Sequence, residues 1–532
     1  MVLLGTGSCL FAEDGARYLV IAHDNFYAAV QPLAQWKTRK GMLAKVVRFS
    51  EVGSSTDSIQ AYVRHAYQTW PVRPQYVLIV GAPDFISSSR LRTDDGYGDV
   101  IGDHQVELPV GRFFAATPAE CSTLVEKSLI YEKTPFAAGD SNWMRKGTTV
   151  INEDNPPDTY YQPDCRYIRA LWNMFNFVQT DSLMDTWGDS SVDVRAAINA
   201  GRGFVVYRGQ CISNWWPPFD QVNPATLSNG DKLPVVVSGS CETMTLTEGE
   251  TMLADQFVRA GTAQERRGAV AYFGTTNAGA SVSLKRGTVT KAFFTAVFVE
   301  GRYKIGDACI RAKFYLDSLV PGLQYFYEEW NLLGDPELPL WTERPAPLAA
   351  TFDASLPLGS QDFIVHVTRN GVPLGGALVC VMMDSTVYAT GQTQGQGDVT
   401  LGINAVNTGT VFVTVTARNC LPLEDSAQVV LTDLADGQSR MTGPALTCRP
   451  SPARGAVTVG YSMSERGLAD VTVYDAGGCR VRSLFSGNAA AGAQRLVWDV
   501  RNDRGSTVPA GVYVIKLRAA GSVFVRKLVL FP

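Results

Sequence analysis

Seven short apolar segments constrain the fold of this chain more than any other feature. Their side chains are apolar at successive positions rather than at every second one, as in strands that are buried on both faces of a sheet. Segments with helical periodicity lie between them, such as residues 26–41 and 165–177, and Gly41 stands where a helix is expected to end. This alternation predicts a mostly parallel sheet covered by helices. The predicted strands are residues 17–23, 43–49, 75–81, 147–152, 203–209, 233–239 and 268–274.

The character of the sequence changes near Pro345 and Pro347, which mark a linker after residue 343. Residues 348–433 contain Thr- and Val-rich strands with alternating polarity and no helical pattern, and residues 444–532 form a second all-β unit. Both regions are typical of β-sandwiches of immunoglobulin size. The predicted fold class is an α/β domain over residues 17–343, followed by two all-β immunoglobulin-like sandwich domains.

Composition excludes several classes of partner. A chain of 532 residues is too long for one core. Its net charge of −4 gives no reason to expect nucleic acid, and no apolar run is long enough for a membrane span. Residues 1–16 lack the features of a signal peptide and are predicted to be irregular. Four of the ten cysteines fall in the last third, where disulfides and buried thiols are both open interpretations: Cys380, Cys420, Cys448 and Cys479.

Functional side chains of a parallel sheet are expected just beyond the carboxyl ends of its strands. Cys241, Gln210, Glu153 and His23 follow four of the predicted strands. A cysteine in such a turn is a candidate nucleophile when a base, usually histidine, stands next to it. Without that base, a lone cysteine is better explained as a small buried apolar residue.

The ordered set of motifs resembles the gingipain-type cysteine peptidases. It comprises RYLVIAHDNF, YVLIVGAPD, TDDGYGDVIGDHQVELPVGRF, VVYRGQ followed by Trp215, LPVVVSGSC, GAVAYFGTTNAG and WNLLGDPELPLW. The resemblance implies a caspase-like fold and a cysteine endopeptidase that acts on polypeptides and requires no cofactor. It assigns the nucleophile to Cys241.

The sequence departs from the family pattern where the catalytic histidine is expected. The motif Y-x-G-H-G places that histidine at Gln210 and a glycine at Cys211, and Met244 stands where relatives often have glycine. A glutamine side chain cannot accept and return a proton as imidazole does. We therefore expect an impaired peptidase, or alternatively a pseudoprotease that serves as a surface binding protein or as a self-assembling structural protein.

The resemblance also assigns residues around the nucleophile. Glu153 is expected near the position of the catalytic histidine, while Asp164 and Trp215 are assigned to substrate binding, Asp164 as the acid that receives a basic side chain. Asp158 offers an alternative to Asp164, which is also explained as the N-cap of a helix beginning near Cys165. Of the four histidines, His104 in the acidic loop is the candidate substitute base. The other three, His23, His65 and His366, are predicted to be structural.

The loop of residues 94–104 combines aspartates with glycines, a combination that suits Ca²⁺. The resemblance allows a structural calcium ion there, and a solvated acidic loop is the equally open alternative. The predicted calcium ligands are Asp94, Asp95, Asp99 and Asp103.

The C-terminal unit carries a second resemblance. Residues 448–532 follow the pattern P-x-P, Y-D-x-x-G, W-D, G-V-Y of the immunoglobulin-like domain of flagellar-hook-capping type. Such a domain also ends many proteins of the type IX secretion route as a sorting domain. The resemblance implies a secreted or cell-surface protein, with attachment or self-assembly through the β-domains.

Overall fold

The chain comprises two compact units, divided between Leu431 and Thr432. Each unit has its own sheets and hydrophobic core. The computed structural model describes residues 15–135, 139–140, 142–153, 159–211, 215–220, 222–277, 283–319, 324–384, 386–430, 445–449, 453, 455–463, 465–519 and 522–531.

The first unit is built on a ten-stranded sheet of order β2-β1-β3-β4-β10-β9-β8-β7-β5-β6, as far as its residues are described. The strands pair in parallel within the runs β2-β1-β3-β4 and β9-β8-β7-β5-β6, whereas β10 runs antiparallel to β9. The strands are β1 (Tyr18–Ala22), β2 (Ala44–Arg48), β3 (Tyr76–Val80), β4 (Val110–Phe113), β5 (Lys146–Ile151), β6 (Gln179–Met184), β7 (Phe204–Arg208), β8 (Val235–Gly239), β9 (Ala271–Thr275) and β10 (Trp330–Leu333).

Helices cover both faces of this sheet, which explains why its central strands are buried and mostly apolar. The helices are α1 (Tyr27–Arg39), α2 (Thr56–Thr69), α3 (Pro118–Lys133), α4 (Tyr161–Met174), α5 (Ser191–Asn199), α6 (Leu253–Arg259), α7 (Ser283–Phe298), α8 (Ile305–Leu319) and α9 (Gln324–Glu328). Helices α1, α3, α5 and α6 pack on one face, and α2, α4, α7 and α8 pack on the other. Each of the seven predicted strands overlaps an observed one, and the α/β fold is confirmed.

A β-sandwich completes the first unit. One sheet has the order β11-β13-β14, with β17 also pairing with β13, and the other has the order β12-β19-β18-β15-β16. Asn419 joins the sandwich to the α/β region, since its Oδ1 accepts a bond from the Thr342 amide at 3.1 Å. The strands are β11 (Leu348–Thr351), β12 (Ser355–Pro357), β13 (Gly359–Arg369), β14 (Val372–Pro373), β15 (Leu378–Met383), β16 (Val387–Gln392), β17 (Asp398–Ala405), β18 (Gly409–Thr416) and β19 (Leu423–Val430).

The second unit is a separate sandwich with sheets of order β20-β21-β24 and β23-β22-β25-β26. Trp498 and Tyr513 lie in its core with their rings edge to face at 5.4 Å. The strands are β20 (Ala445–Arg449), β21 (Val457–Met463), β22 (Gly467–Asp475), β23 (Arg480–Ala489), β24 (Gly492–Trp498), β25 (Gly511–Ala519) and β26 (Ser522–Leu530). Among the helices that the structure describes, none has the length and apolarity needed to cross a membrane.

Strand β10 runs antiparallel to β9, so β10 ends at the edge of the sheet where β9 begins. A buried charge cluster lies at that edge. Lys37, at the end of α1, is fully buried and pairs with three carboxylates at 2.5–3.3 Å: Asp335, Glu337 and Glu132. Lys40 pairs with the last two of these as well, and Lys304 pairs with Glu337. We call these six residues the basal cluster. It ties α1 and α3 to the segment that follows β10.

Candidate active site

The turns after β7 and β8 lie side by side at the opposite edge of the sheet. Arg208 and Gly239, the last residues of these parallel strands, are paired in register. The hydroxyl of Ser240 then donates to the carbonyl oxygen of Gly209 at 2.9 Å and holds the two turns together. A Cβ atom on Gly209 would lie 2.7 Å from the carbonyl oxygen of Asn152, so the first turn requires glycine.

Gln210 occupies the first turn and is exposed. Its carbonyl oxygen accepts a bond from the hydroxyl of Tyr207 at 2.5 Å, and the ring of Tyr207 stacks on Trp216 at 4.9 Å. Burial raises the pKa of Tyr207 well above its ordinary value, so the hydroxyl stays protonated and donates. Trp216 is fully buried, whereas Trp215 is only half-buried. Trp216 therefore supports the turn, and Trp215 is the tryptophan that solvent or a ligand can reach.

Cys241, in the second turn, is half-buried and contacts a buried arginine. Nη1 of Arg286 donates to its sulfur at 2.8 Å. The same guanidinium donates to both carboxylate oxygens of Glu329, at 3.1 and 2.9 Å, and to the carbonyl oxygen of Asn277 at 2.8 Å. Burial alone would lower the pKa of Arg286, but the hydrogen bonds and charge of Glu329 raise it. A permanent cation is thus fixed against the sulfur.

In the part of the chain that the structure describes, the four histidines contact residues other than Cys241. His23 packs against Phe85 at 5.0 Å, and His65 accompanies Thr69 on its own helix. His366 pairs with Asp398 in the sandwich. His104 lies 3.8 Å from Glu328 and is largely exposed. The contacts of the described residues therefore give no histidine the position of a base beside the sulfur.

Asp164 lies in the first turn of α4 and is buried. The interpretation as an N-cap is wrong, because the helix begins at Tyr161 and its cap position is Tyr160. Oδ2 of Asp164 accepts two bonds from the guanidinium of Arg208, at 3.1 and 2.9 Å, and Oδ1 pairs with Lys291 at 2.8 Å. Both carboxylate oxygens are therefore occupied by cations of the chain itself.

Glycine at position 287 makes this arrangement possible. A Cβ atom there would lie 2.0 Å from Oδ2 of Asp164 and 3.0 Å from Nη2 of Arg208. Arg208 is fully buried, and it also donates to the carbonyl oxygen of Ser283 at 2.8 Å. The side chain of this strand residue therefore fills the space beside the carboxylate.

The remaining predicted residues are more dispersed. Glu153 is half-buried and accepts a bond from Gln162, while Asp158 lies outside the described residues. In the acidic loop, Asp103 accepts a bond from the amide of Gln105 at 3.0 Å. Its other aspartates pair with cations of the chain: Asp94 with Arg112, Asp95 with Lys313 and Asp99 with Arg90. Burial outweighs Lys313 and raises the pKa of the Asp95 carboxyl to about 6.

Because three of its four aspartates pair with cations of the chain, the acidic loop does not show a calcium site, and calcium binding there stays a prediction. Within the described ranges, only three carboxylates of the basal cluster bring ligand atoms within 4.8 Å of one another. Lysines already pair with those three carboxylates, which are Glu132, Asp335 and Glu337.

Arg208 and Arg286 were missed by the sequence analysis. Arg208 offered a signal, since it is the one charged residue of the predicted strand 203–209. Arg286 offered none, because Lys285 and Lys291 stand on the same helix and a pattern does not distinguish the three.

Comparison with known proteins agrees with the geometry. The sequence profile of peptidase family C25 matches residues 11–341, and that of the FlgD Ig-like domain matches residues 453–522. Lys-gingipain of Porphyromonas gingivalis is 23% identical over 448 residues, which cover 76% of this chain but only 25% of that protein. Gingipain R2 of the same organism is 20% identical over 542 residues, which cover 97% of this chain and 68% of the relative.

The fold agrees as well. The crystal structure of the Arg-specific cysteine proteinase gingipain R superposes with a TM-score of 0.71 at 19% identity. The match covers 80% of this chain and 100% of the gingipain R chain. The predicted resemblance to gingipain-type peptidases and the caspase-like fold class are thus confirmed. Since the family profile spans more than half of the residues, the chain belongs to peptidase family C25.

Proposed function

We propose that this chain is a catalytically impaired cysteine peptidase, which keeps the gingipain-like scaffold and its nucleophile but does not turn over peptides at an enzyme-like rate. The observation that carries the proposal is Gln210, in the turn beside Cys241 where the family motif has histidine. The protein then acts by binding a polypeptide rather than by cleaving it.

The missing step is proton transfer. Cys241 keeps a charged hydrogen-bond partner in Arg286, so the step we assign as lost is proton transfer to the leaving group. The leaving amine of a peptide needs a proton, and neither an amide side chain nor a permanently charged guanidinium exchanges one at neutral pH. Loss of general acid and base catalysis costs roughly 10²–10⁴-fold in rate. Activated esters do not need that proton, so they should acylate Cys241 where peptides do not react.

The substrate pocket supports the same conclusion. Asp164 is the residue assigned to a basic substrate side chain, and Arg208 and Lys291 already neutralise it. An incoming arginine or lysine would have to displace a fully buried guanidinium, which costs several kcal/mol. We therefore expect no preference for basic side chains. Trp215, half-buried at the rim, is the residue we assign to contact with a bound polypeptide.

We place the protein outside the producing cell, in the medium or on the cell surface. The support is the FlgD Ig-like domain at residues 453–522, of the type that resembles a secretion sorting domain. Attachment or self-assembly through the two β-sandwiches belongs to the same proposal.

The test compares hydrolysis by the native chain, Cys241→Ala and the double variant Gln210→His, Cys211→Gly. Peptide amides and p-nitrophenyl esters with neutral and basic side chains serve as substrates. We expect acylation of the native protein by the esters only, and peptide cleavage by the double variant. Native cleavage of peptides at an enzyme-like rate that Cys241→Ala abolishes would overturn the proposal.

A further inference from the structure

A cavity of about 350 Å³ lies next to the basal cluster, where the α/β region meets the first β-sandwich. Both regions belong to the first compact unit. The volume falls in the lower part of the roughly 300–1,000 Å³ range of small-molecule sites. The cavity shares no residue with the turns that hold Gln210 and Cys241, so the proposed function does not account for it.

The walls of the cavity carry apolar side chains from both regions. Met42, Leu340 and Trp341 come from the α/β region, and Leu378 and Pro422 come from the sandwich. Met42, Leu378 and Pro422 are half-buried and still present surface to solvent. A ligand with an apolar body would cover that surface, which favours its binding.

Two lysines of the basal cluster also line the cavity. Lys40 is 3% exposed and pairs with Glu132 and Glu337, and Lys304 pairs with Glu337. An ammonium group has three N–H donors. Among the described residues these carboxylates are the only ion-pair partners of the two lysines, so each lysine keeps a donor for a ligand.

Arg418 adds a third cation to this lining, against two carboxylates. Its guanidinium lies 3.3 Å from the centre of the Tyr303 ring, donates to the Tyr303 hydroxyl and donates to Oγ1 of Thr342 at 3.4 Å. These partners are neutral, and among the described residues Arg418 makes no ion pair. It is exposed, so an anion can reach it from solvent, and a guanidinium fits a carboxylate with two parallel hydrogen bonds.

We propose that this cavity binds a carboxylate on an apolar body, carried by a small organic acid or by the C-terminal residue of a peptide. Arg418 holds the carboxylate, the two lysines add positive charge, and the apolar walls enclose the body. The inference goes beyond the proposed function and shares no residue with it.

Calorimetric titration of the full chain tests the ligand class. The acids are octanoate, 4-phenylbutyrate and acetyl-Ala-Phe with a free C-terminus, and the neutral counterparts are 4-phenylbutan-1-ol and the amidated peptide. We expect the acids to bind, and the neutral counterparts to bind roughly tenfold more weakly, since they lose a charge-assisted hydrogen bond. Binding of the peptide acid alone or of the small acids alone identifies the source. Binding of none of the three acids at millimolar concentration would overturn the proposal.

Two variants separate the charge from the cavity itself. Arg418→Met should weaken binding of the acids roughly tenfold and leave that of the alcohol unchanged. Gln392→Trp, at an exposed position of the lining, should weaken both because it covers the opening with a neutral ring. The matched control is Arg311→Met, because Arg311 also lies over a tyrosine ring, that of Tyr315 at 4.8 Å, but outside the cavity. It should leave every affinity unchanged.

Thermal unfolding checks that the variants fold. Equal affinity of the native chain and a folded Arg418→Met variant for the acids would overturn the proposal, as would equal binding of acid and alcohol by the native chain. Peptide cleavage by the native chain would overturn the proposed function alone, so the two failures are distinguishable.

Discussion

Two buried networks of charge lie at opposite edges of the large sheet, and they differ in what their cations contact. In the basal cluster, Lys37 is enclosed by three carboxylates, and Tyr18 donates to one of them, Asp335, at 2.7 Å. At the other edge, Arg286 pairs with Glu329 and also contacts the sulfur of Cys241. The cations of the first network contact carboxylates, whereas Arg286 in the second also contacts a thiol.

The two networks differ in whether their cations are enclosed by carboxylates alone. A buried cation needs enough acceptors to offset its desolvation. The basal cluster supplies them entirely from its own acids, so we assign it to holding α1, α3 and the end of β10 together. At the other edge, Arg208 and Lys291 pair with Asp164, and Arg286 keeps an N–H for the thiol of Cys241.

Removing the central lysine of the basal cluster should have the largest effect. Lys37→Met leaves three buried carboxylates with one lysine fewer, and breaking a buried ion pair costs about 3–5 kcal/mol of the free energy of unfolding. Urea denaturation followed by tryptophan fluorescence measures the loss. The matched control is Lys304→Met, because Lys304 pairs with the same cluster but is 31% exposed, and it should cost less than about 1 kcal/mol. Equal losses in the two variants would contradict a closed network around Lys37.

Arg208→Met should have the next largest effect and tests the pocket. Asp164 keeps Lys291 but loses two charge-assisted hydrogen bonds, each of a kind worth about 1.5–3 kcal/mol. The variant should be less stable and should bind benzamidine, a soluble cation that fits beside the freed carboxylate, whereas the native chain should not. Isothermal titration measures that binding. Arg195→Met, a partly exposed residue of α5, is the control and should change neither property. Benzamidine binding by the native chain would show that Asp164 is accessible after all.

Arg286→Gln should slow the alkylation of Cys241 at neutral pH, because the cation that contacts the sulfur is lost. Iodoacetamide labelling of residues 233–259, followed by mass spectrometry, measures the rate for that single cysteine. Arg286→Lys retains a positive charge and should recover part of the alkylation rate. Lys285→Gln is the control, since Lys285 lies over the ring of Phe326 at 3.8 Å. An unchanged rate in Arg286→Gln would mean that the contact does not tune the sulfur.

The fold was predictable where the sequence pattern is strong. Seven strands carry mostly apolar runs that the pattern identifies, but three strands of the same sheet were missed. Strand β6 is polar and only partly buried at the edge, β4 has four residues, and β10 reverses direction in a turn-rich segment. Their pairing depends on neighbours that are distant in the chain, and a local pattern does not report it.

The site was predictable at its two turns and not around them. The positions of Gln210 and Cys241 follow from strand ends that periodicity identifies. The partners of Asp164 and Cys241 come from α7, and no local pattern indicates which of its charged residues face the site. Gly287 shows the same limit, since only the approach of Asp164 explains it.

His104→Asn should have the smallest effect and closes the question of a substitute base. The side chain of His104 is 54% exposed, its nearest acid is Glu328 at 3.8 Å, and asparagine tolerates its φ of 72°. We expect a change within about 0.5 kcal/mol in the free energy of unfolding. The rate of ester hydrolysis should also stay unchanged, because the residue contributes no contact to Cys241. Loss of ester hydrolysis in a folded His104→Asn variant would make the acidic loop part of the catalytic site. It would also mean that the site at Cys241 has a base, and its contrast with the basal cluster would have to be revised.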